Sequence, residues 1–302
     1  MSDENACGAG EPNATAFAQE YGMNDAAVSC SGYRPSQALN SAPSQSGRPA
    51  KNRLRGHSAN RKVTAETLLR SFNTWAFKRE QPADPQLMLR IISESIALRE
   101  PVSFILYWGK GPRCRLGEPD IECLDYLGTF ASRVLEVYEP GAAIKLIFTD
   151  THAALNGHAP DRVRAYFAEV EACAAERGFE TCFLGELIRS AEAVAICAPN
   201  DDDVSEEILQ RLSAGARKWY RGDGTAGEGA LKYFQMNMIE KRAVELAFPR
   251  SIFVTFNSSE LRVLFPNYLP VFYMYSLRRG VSVKPWFLPA PATGNSESVD
   301  LP

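Results

Sequence analysis

The chain has 302 residues and a formal net charge of −3 at pH 7. Hydrophobic residues make up 45% and charged residues 23% of it, which is ordinary for a soluble globular protein. This balance gives no general reason to expect binding to nucleic acid or to an anionic membrane, and no apolar run approaches the roughly 18 residues of a membrane-spanning helix. The polar N-terminus, from Ser2 through Glu11, argues against a secretory signal peptide, so we expect a cytoplasmic protein.

The seven cysteines are scattered and include no C-x-x-C pair. That spacing predicts neither a zinc site nor a disulfide framework, so most of them are expected to be reduced and to fill small apolar spaces. Arg113 and Arg115 flank Cys114 and would lower the pKa of its thiol, which makes it the best candidate for a nucleophile among the seven.

Composition divides the chain into four parts. Residues 1–62 are rich in Ser, Ala, Gly, Asn and Pro and are predicted to be disordered; their basic end either contacts a partner or is a solvated linker. Residues 63–198 are predicted to form the core. Residues 199–290 are predicted to be a helical and β portion packed on that core, and residues 291–302 a disordered tail.

Apolar periodicity predicts helices and strands that alternate along the core. In chain order the predicted elements are helix 64–76, helix 85–96, strand 101–108, helix 124–138, strand 142–148, helix 160–177, strand 180–184, helices 200–220 and 230–247, and strands 251–257, 261–265 and 270–277. Strand and helix alternating at this spacing are typical of a parallel sheet. We therefore predict an α/β protein with a Rossmann-like, mostly parallel sheet, helices on both faces, and a smaller C-terminal α+β portion.

Two polar segments follow predicted strands, where ligands collect in open α/β sheets. The first is "WGKGPRCRLGEPD", in which Lys110, Arg113 and Arg115 lie in a tight loop and could clamp a phosphate or a carboxylate. The alternative is a solvated basic loop whose charge Glu118 and Asp120 neutralise.

The second polar segment is "TDTHAALNGH", predicted to be a turn after strand 142–148. Here Asp150 could orient His152 and tune its pKa toward neutrality for acid–base chemistry, with Asn156 and His158 nearby. A metal site would use Asp150, His152 and His158, but His-x5-His is not a recurrent ligand spacing and no acid or cysteine cluster completes it, so we predict none. The structural alternative has Asp150 capping the next turn and Asn156-Gly157 forming a β-turn.

Two further segments carry less specific signals. The glycine-rich "GDGTAGEG" follows a helix and not a strand, so it is either a flexible connector or an active-site lid. On the next helix, Glu240 and Lys241 point to different sides and most of the charge is expected on a solvated face, with Arg242 as a candidate substrate contact.

Taken in order, these segments resemble the isocyanide synthase family, also described as pyoverdine/dityrosine biosynthesis proteins. Members begin with an apolar strand and a basic loop leading to Pro-Asp, matched by "FILYWGKGPRCRLGEPD", and continue through a helix to Y-x-P-G-A and a second strand, matched by "VYEPGAAIKLIF". The helix "DRVRAYFAEVEA" resembles the one that follows. The resemblance covers residues 104–187 well and the C-terminal third loosely.

The chain departs from the family pattern at three places. Ser-Asn of the basic loop becomes Gly111 and Arg113, the glycine of Ser-Asp-Gly after the second strand becomes Thr151, and the histidine of a terminal Pro-Trp-His becomes Phe287. A role for that last histidine is therefore not carried over.

The resemblance implies an enzyme of specialised metabolism that condenses the amine of an amino acid with the ketone of ribulose 5-phosphate and converts the nitrogen to an isocyanide, without a metal or an organic redox cofactor. Lys110 and Arg113 would hold phosphate or carboxylate, and Asp150, helped by His152, would move protons. Arg115, Thr151, Asn156, His158 and Arg242 complete the set of candidate substrate contacts. A downstream oxygenase is the partner that the resemblance suggests; no nucleic acid or membrane is expected.

Two other interpretations stay open. The chain could be a different transferase on a Rossmann-like scaffold, although no strand is followed by G-x-G-x-x-G. It could also be a ligand-binding relative that kept the fold without catalysis, since a fold does not guarantee an activity.

Overall fold

A computed structural model describes residues 63–109, 115–190, 204–220, 223–257, 259, 269–275, 277–278 and 281–282. The predicted disordered segments 1–62 and 291–302, the basic residues Lys110 and Arg113, and the predicted strand 261–265 lie outside these residues.

The centre of the structure is a five-stranded sheet in the order β3-β2-β1-β4-β5, in which every neighbouring pair is parallel. Its strands are β1 (Val102–Trp108), β2 (Ala142–Phe148), β3 (Glu180–Phe183), β4 (Ser251–Thr255) and β5 (Val271–Tyr273), and a separate antiparallel pair is formed by β6 (Leu277–Arg278) and β7 (Val281–Ser282). β1 and β2 consist of near-continuous apolar residues, as expected for strands buried on both faces. The predicted strands at 101–108, 142–148 and 180–184 are confirmed.

Helices precede and connect the strands. They are α1 (Ala65–Phe72), α2 (Pro85–Leu98), α3 (Glu118–Leu135), α4 (Asp150–Leu155), α5 (Pro160–Ala175), α6 (Leu184–Arg189), α7 (Glu206–Trp219) and α8 (Ala226–Ala247). Local sequence explains their starts: hydroxyls of Thr64, Ser205 and Thr225 accept backbone N–H groups of the first turns, and α2, α3 and α5 have proline at their beginning. None of the described helices is long and apolar enough to cross a membrane.

Helices cover both faces of the sheet. Side chains alternate along β1, so Phe104, Leu106 and Trp108 pack in one core with α1, α2, α3 and α5. Ile105 points to the opposite face, where it packs with Leu184 of α6 and residues of α8. The predicted Rossmann-like α/β fold with helices on both faces is therefore confirmed.

The C-terminal part of the chain contributes to the sheet itself. β4 pairs with β1 at the centre, and β5 pairs with β4. The outer edge of β5 is covered by an antiparallel segment after α1, in which Arg79 N–H donates to the Tyr273 carbonyl at 2.9 Å and Ala83 N–H donates to the Val271 carbonyl at 2.9 Å. This pairing removes an exposed parallel edge. α7 packs on α8 through a smaller apolar cluster.

Several element boundaries differ from the sequence prediction, including those of α4, α8 and α1. Residues 150–155, predicted as a turn, form the short helix α4, because Thr151, His152, Ala153 and Leu155 are buried and make a helical turn that packs inward. In the glycine-rich segment, residues 226–229 are helical and not part of a loop: Thr225 and Glu228 form a capping box, so α8 starts at Ala226. α1 ends at Phe72, four residues before the predicted end.

Candidate functional site

The ends of β1 and β2 are tied together at one point. Trp108 is paired with Phe148, and the Trp108 carbonyl accepts from both the backbone N–H of Thr149 at 2.9 Å and its hydroxyl at 3.0 Å. Thr149 is fully buried. The two polar segments singled out in the sequence therefore begin side by side at the carboxyl edge of the sheet, where α/β proteins bind ligands.

Asp150 is the first residue of α4 and is half-buried. Its Oδ1 accepts from the Gly185 backbone N–H at 2.9 Å, so the carboxylate links α4 to the first turn of α6. Burial raises the pKa of Asp150 above its usual range, and the charge of Glu240 adds to this, while the N–H groups of Gly185 and Thr151 act in the opposite direction. A carboxyl group in this setting is suited to holding and releasing a proton.

A buried polar cluster joins α4 to α8. The Glu240 side chain is fully buried, and its Oε2 lies 2.6 Å from Nε2 of His152, which is itself only 3% exposed. The Thr151 hydroxyl donates to the other carboxylate oxygen, Oε1. Because Thr151 and His152 are adjacent residues of one turn, Glu240 contacts two of the polar side chains that α4 directs inward. A buried carboxylate needs such donors to offset its lost hydration.

Two half-buried tyrosines flank this cluster. The ring of Tyr233 on α8 is edge-on to the His152 ring at 5.5 Å, and the ring of Tyr107 on β1 lies at 6.3 Å. Burial raises the pKa of both tyrosines, and the negative charge of Glu240 raises it further, so both stay protonated over the physiological range. The His152 ring therefore lies against two protonated tyrosines and the Glu240 carboxyl group.

On the opposite face of the sheet, a second buried chain of hydrogen bonds leads to the two ends of the basic loop. Trp108 Nε1–H donates to the Tyr166 hydroxyl at 2.9 Å, and that hydroxyl donates to Oδ1 of Asp120 at 2.8 Å. The other Asp120 oxygen accepts the Gly117 backbone N–H at 2.8 Å, so the residue caps α3. Asp120 thus has buried partners in the core in addition to its place beside the basic loop.

Gly109 follows directly after β1 with a φ of +95°. A Cβ atom added there would lie 2.6 Å from the Phe167 ring. Both the backbone conformation and the close approach of α5 require glycine at this position. The segment that carries the basic residues therefore leaves the sheet from a fixed point.

Of the other candidate residues predicted from the sequence, some lie beside the Glu240–His152 cluster and others do not. Asn156 ends α4, and its amide donates to the His152 carbonyl at 2.8 Å. His158 is half-buried, which lowers the pKa of its imidazole. Arg115 is exposed. Arg242 is exposed on the side of α8 away from Glu240 and has its Nη1 3.9 Å from Glu245, so it is not brought to the site. Within the described residues, no group of three His, Cys, Asp or Glu side chains is arranged to hold a metal ion.

Glu240 is the functional candidate that sequence reasoning missed, since its charge was expected on a solvated face. A signal was present: Asn237 and Val244 lie three residues before it and four after it, which places all three on one side of the helix, and both neighbours are buried. Buried residues lie around most of the circumference of α8, so its solvent-exposed polar face is narrow and a charged residue such as Glu240 can fall outside it.

These features define a Rossmann-like α/β protein with a buried acid–base cluster at the carboxyl edge of its sheet. No known protein family matches the sequence, and a search of curated proteins also finds no match. Among solved structures, the fold is similar to the PvcA protein from Pseudomonas aeruginosa, with a TM-score of 0.52 and 18% identity over 70% of this chain and 82% of that protein. It also has a likeness to tyrosyl-tRNA synthetase from Archaeoglobus fulgidus complexed with L-tyrosine, with a TM-score of 0.47 and 11% identity over 70% of this chain and 65% of the synthetase.

Proposed function

We propose that the protein is a biosynthetic enzyme of the isocyanide synthase type, which condenses the amine of an amino acid with the ketone of ribulose 5-phosphate. The observation that carries the proposal is the likeness in fold to PvcA, an isonitrile synthase-type protein, over most of both chains. The order of strand, basic loop, helix, strand and Asp-containing turn in the sequence supports the same assignment.

The chemistry of the first step suits the residues at the carboxyl edge of β1 and β2. The amine adds to the ketone, and loss of water from the adduct gives an imine, which requires a group that first donates and then accepts a proton. Asp150 is the candidate for this role because burial raises its pKa and holds a proton on it at higher pH than usual. His152, two residues further along α4, is the second candidate group for proton transfer.

The basic loop is the candidate clamp for the sugar phosphate. Lys110, Arg113 and Arg115 follow β1, and the Trp108–Thr149 contacts place the start of that loop beside the start of α4. Cations there would bind phosphate at one end of a shared pocket and leave the ketone near Asp150.

The proposal is tested by incubating the purified full chain with ribulose 5-phosphate and a mixture of the standard amino acids. We expect one amino acid to be consumed and an isocyanide to be trapped by a tetrazine probe and identified by mass spectrometry. Asp150→Asn should abolish this, whereas Asp161→Asn, the same change at an exposed side chain on α5, should not. If wild-type protein consumes no amino acid and forms no isocyanide, the proposal is wrong.

A thermal-shift screen separates this proposal from the other interpretations of the sequence. Stabilisation by sugar phosphates supports it, because a ligand that binds the folded state raises the melting temperature. Stabilisation by S-adenosylmethionine or nucleotides alone would point to a different transferase, and a flat response to all of them, with no turnover, to a protein without this activity.

A further inference from the structure

The carboxyl group of Glu240 contacts Thr151 with one oxygen and His152 with the other. Its Oε1 accepts from the Thr151 hydroxyl, and its Oε2 lies 2.6 Å from His152 Nε2. An ionised Glu240 accepts at Oε2 only if Nε2 carries a proton, whereas a protonated Glu240 would donate from Oε2 to Nε2. The ionised arrangement corresponds to the Nε2–H form of the neutral imidazole, and the burial of both side chains restricts the position of the ring in either arrangement.

We propose that Glu240 is the positioning residue of the candidate site: it holds the proton of His152 on Nε2 and anchors the first turn of α4 to α8, so that the nitrogen at which His152 changes protonation is Nδ1. The inference rests on the proposed function only where it gives His152 a part in proton transfer. Glu240 acts through His152 and Thr151, because its own carboxylate is fully buried.

The surroundings of the pair favour this role over a purely structural link. A buried ion or polar pair is often no more stabilising than an apolar pair of the same volume, so its benefit lies in orientation. Contacts to the imidazole ring come from Tyr107 of β1 and Tyr233 of α8, and Glu240 lies against its Nε2, with Glu245 of α8 close enough to raise the pKa of Tyr107.

The chain offers a direct measurement, because it has only three histidines. Nitrogen-15 NMR of histidine-labelled full chain distinguishes a protonated from an unprotonated ring nitrogen, and the His152→Asn variant identifies the resonances of His152. In wild-type protein we expect Nε2 of His152 to be protonated at every pH at which the protein is folded, with only Nδ1 titrating. A wild-type ring protonated on Nδ1 and not on Nε2 would overturn the proposal without any variant.

Glu240→Gln is the matched variant. The glutamine oxygen can still accept from Thr151, while its amide group donates to Nε2, so the neutral imidazole should move its proton to Nδ1. Glu136→Gln, the same change at an exposed position that ends α3, should leave the His152 resonances unchanged. If Glu240→Gln folds and His152 keeps its proton on Nε2, the inference is wrong; if it does not fold, the wild-type measurement decides.

Kinetics then connect the tautomer to the proposed reaction. Where wild-type protein turns over, Glu240→Gln should lower kcat by about 10²-fold or more, the usual contribution of general acid–base catalysis, with a smaller change in KM and an altered pH profile. A wild-type protein that shows the expected tautomer but no turnover would refute the proposed function and leave the positioning of His152 by Glu240 established.

Discussion

Replacing Tyr166 with phenylalanine removes the central hydroxyl of the chain that links Trp108 to Asp120. In the folded protein this hydroxyl accepts from the Trp108 indole at 2.9 Å and donates to Asp120 at 2.8 Å. Trp108 and Asp120 are both fully buried, so water cannot take the place of the lost oxygen. The substitution leaves the shape of the ring and all of its apolar contacts unchanged.

The loss of stability comes from the buried groups that hydrogen-bond to the Tyr166 hydroxyl in the wild-type protein. A buried donor or acceptor that loses its partner costs about 1 to 3 kcal/mol, and more when the group is charged. Tyr166→Phe removes the acceptor of one buried indole N–H and one hydrogen bond to the buried carboxylate of Asp120. We therefore expect the free energy of unfolding to fall by about 2 to 5 kcal/mol, a large part of the stability of an ordinary domain.

Urea denaturation followed by circular dichroism measures this change, with the slope of the transition as a check that both proteins unfold in the same way. Tyr220→Phe is the matched control, because the Tyr220 hydroxyl donates to an exposed carbonyl, that of Asp223 at 2.7 Å, where water can replace it. Its loss should cost within about 0.5 kcal/mol. If Tyr166→Phe costs no more than Tyr220→Phe, the buried chain does not hold the start of the loop as the geometry indicates.

Three further tests use the same urea titration. Gly109→Ala should destabilise the protein by about 2 to 4 kcal/mol, because residue 109 has a φ of +95° and the Phe167 ring lies 2.6 Å from where a Cβ atom would be. Gly128→Ala, which adds a methyl group in open space on α3, should instead stabilise it by roughly 0.5 to 1 kcal/mol. Equal effects of the two substitutions would contradict the steric argument. Asp150→Asn should be more stable than wild type near neutral pH. Burial raises the folded-state pKa of Asp150, so the ionisation of this group lowers the free energy of unfolding as the pH rises from its unfolded to its folded pKa. The extra stability of the variant should therefore vanish toward about pH 4. A pH-independent difference would refute that assignment. Trp75→Ala, at a side chain 86% exposed, should change stability by less than about 0.5 kcal/mol, whereas Phe72→Ala in the core should cost about 3 to 5 kcal/mol; similar costs for both would contradict the described packing.

The strands and most helices could be predicted because their signals are local. "AAIKLIF" is apolar except for Lys145 because β2 lies inside the sheet with helices on both faces, and proline at residue 160 begins α5 where the sequence indicated. The same local reasoning misassigned residues 150–155 and 226–229. In the first case the helix depends on burial against distant elements, and in the second the Thr225–Glu228 capping box outweighs the glycines.

Only the part of the candidate site that comes from one continuous stretch of sequence could be predicted. Asp150 and His152 follow directly on β2, so their position at the edge of the sheet was accessible from the order of elements. Glu240 lies 88 residues from His152, and its contact depends on how α8 crosses the sheet. The pattern of α8 indicated that this helix is central, but it could not indicate which residue it meets.

The pairing with Glu240 gives a physical reason for the residues after Asp150. The isocyanide synthase family, which the sequence resembles, has a glycine where this chain has Thr151. In the folded protein the Thr151 hydroxyl and the His152 imidazole bind the two oxygens of one carboxylate. Threonine, histidine and glutamate therefore act as one unit, since removal of any one of them leaves a buried polar group without its partner. A glycine at residue 151 would supply no second donor to Glu240, so we expect Thr151→Gly to be tolerated better when Glu240 is also replaced by glutamine than in the wild-type background. A double-mutant cycle in urea measures that coupling, and strictly additive costs would show that the three side chains are independent.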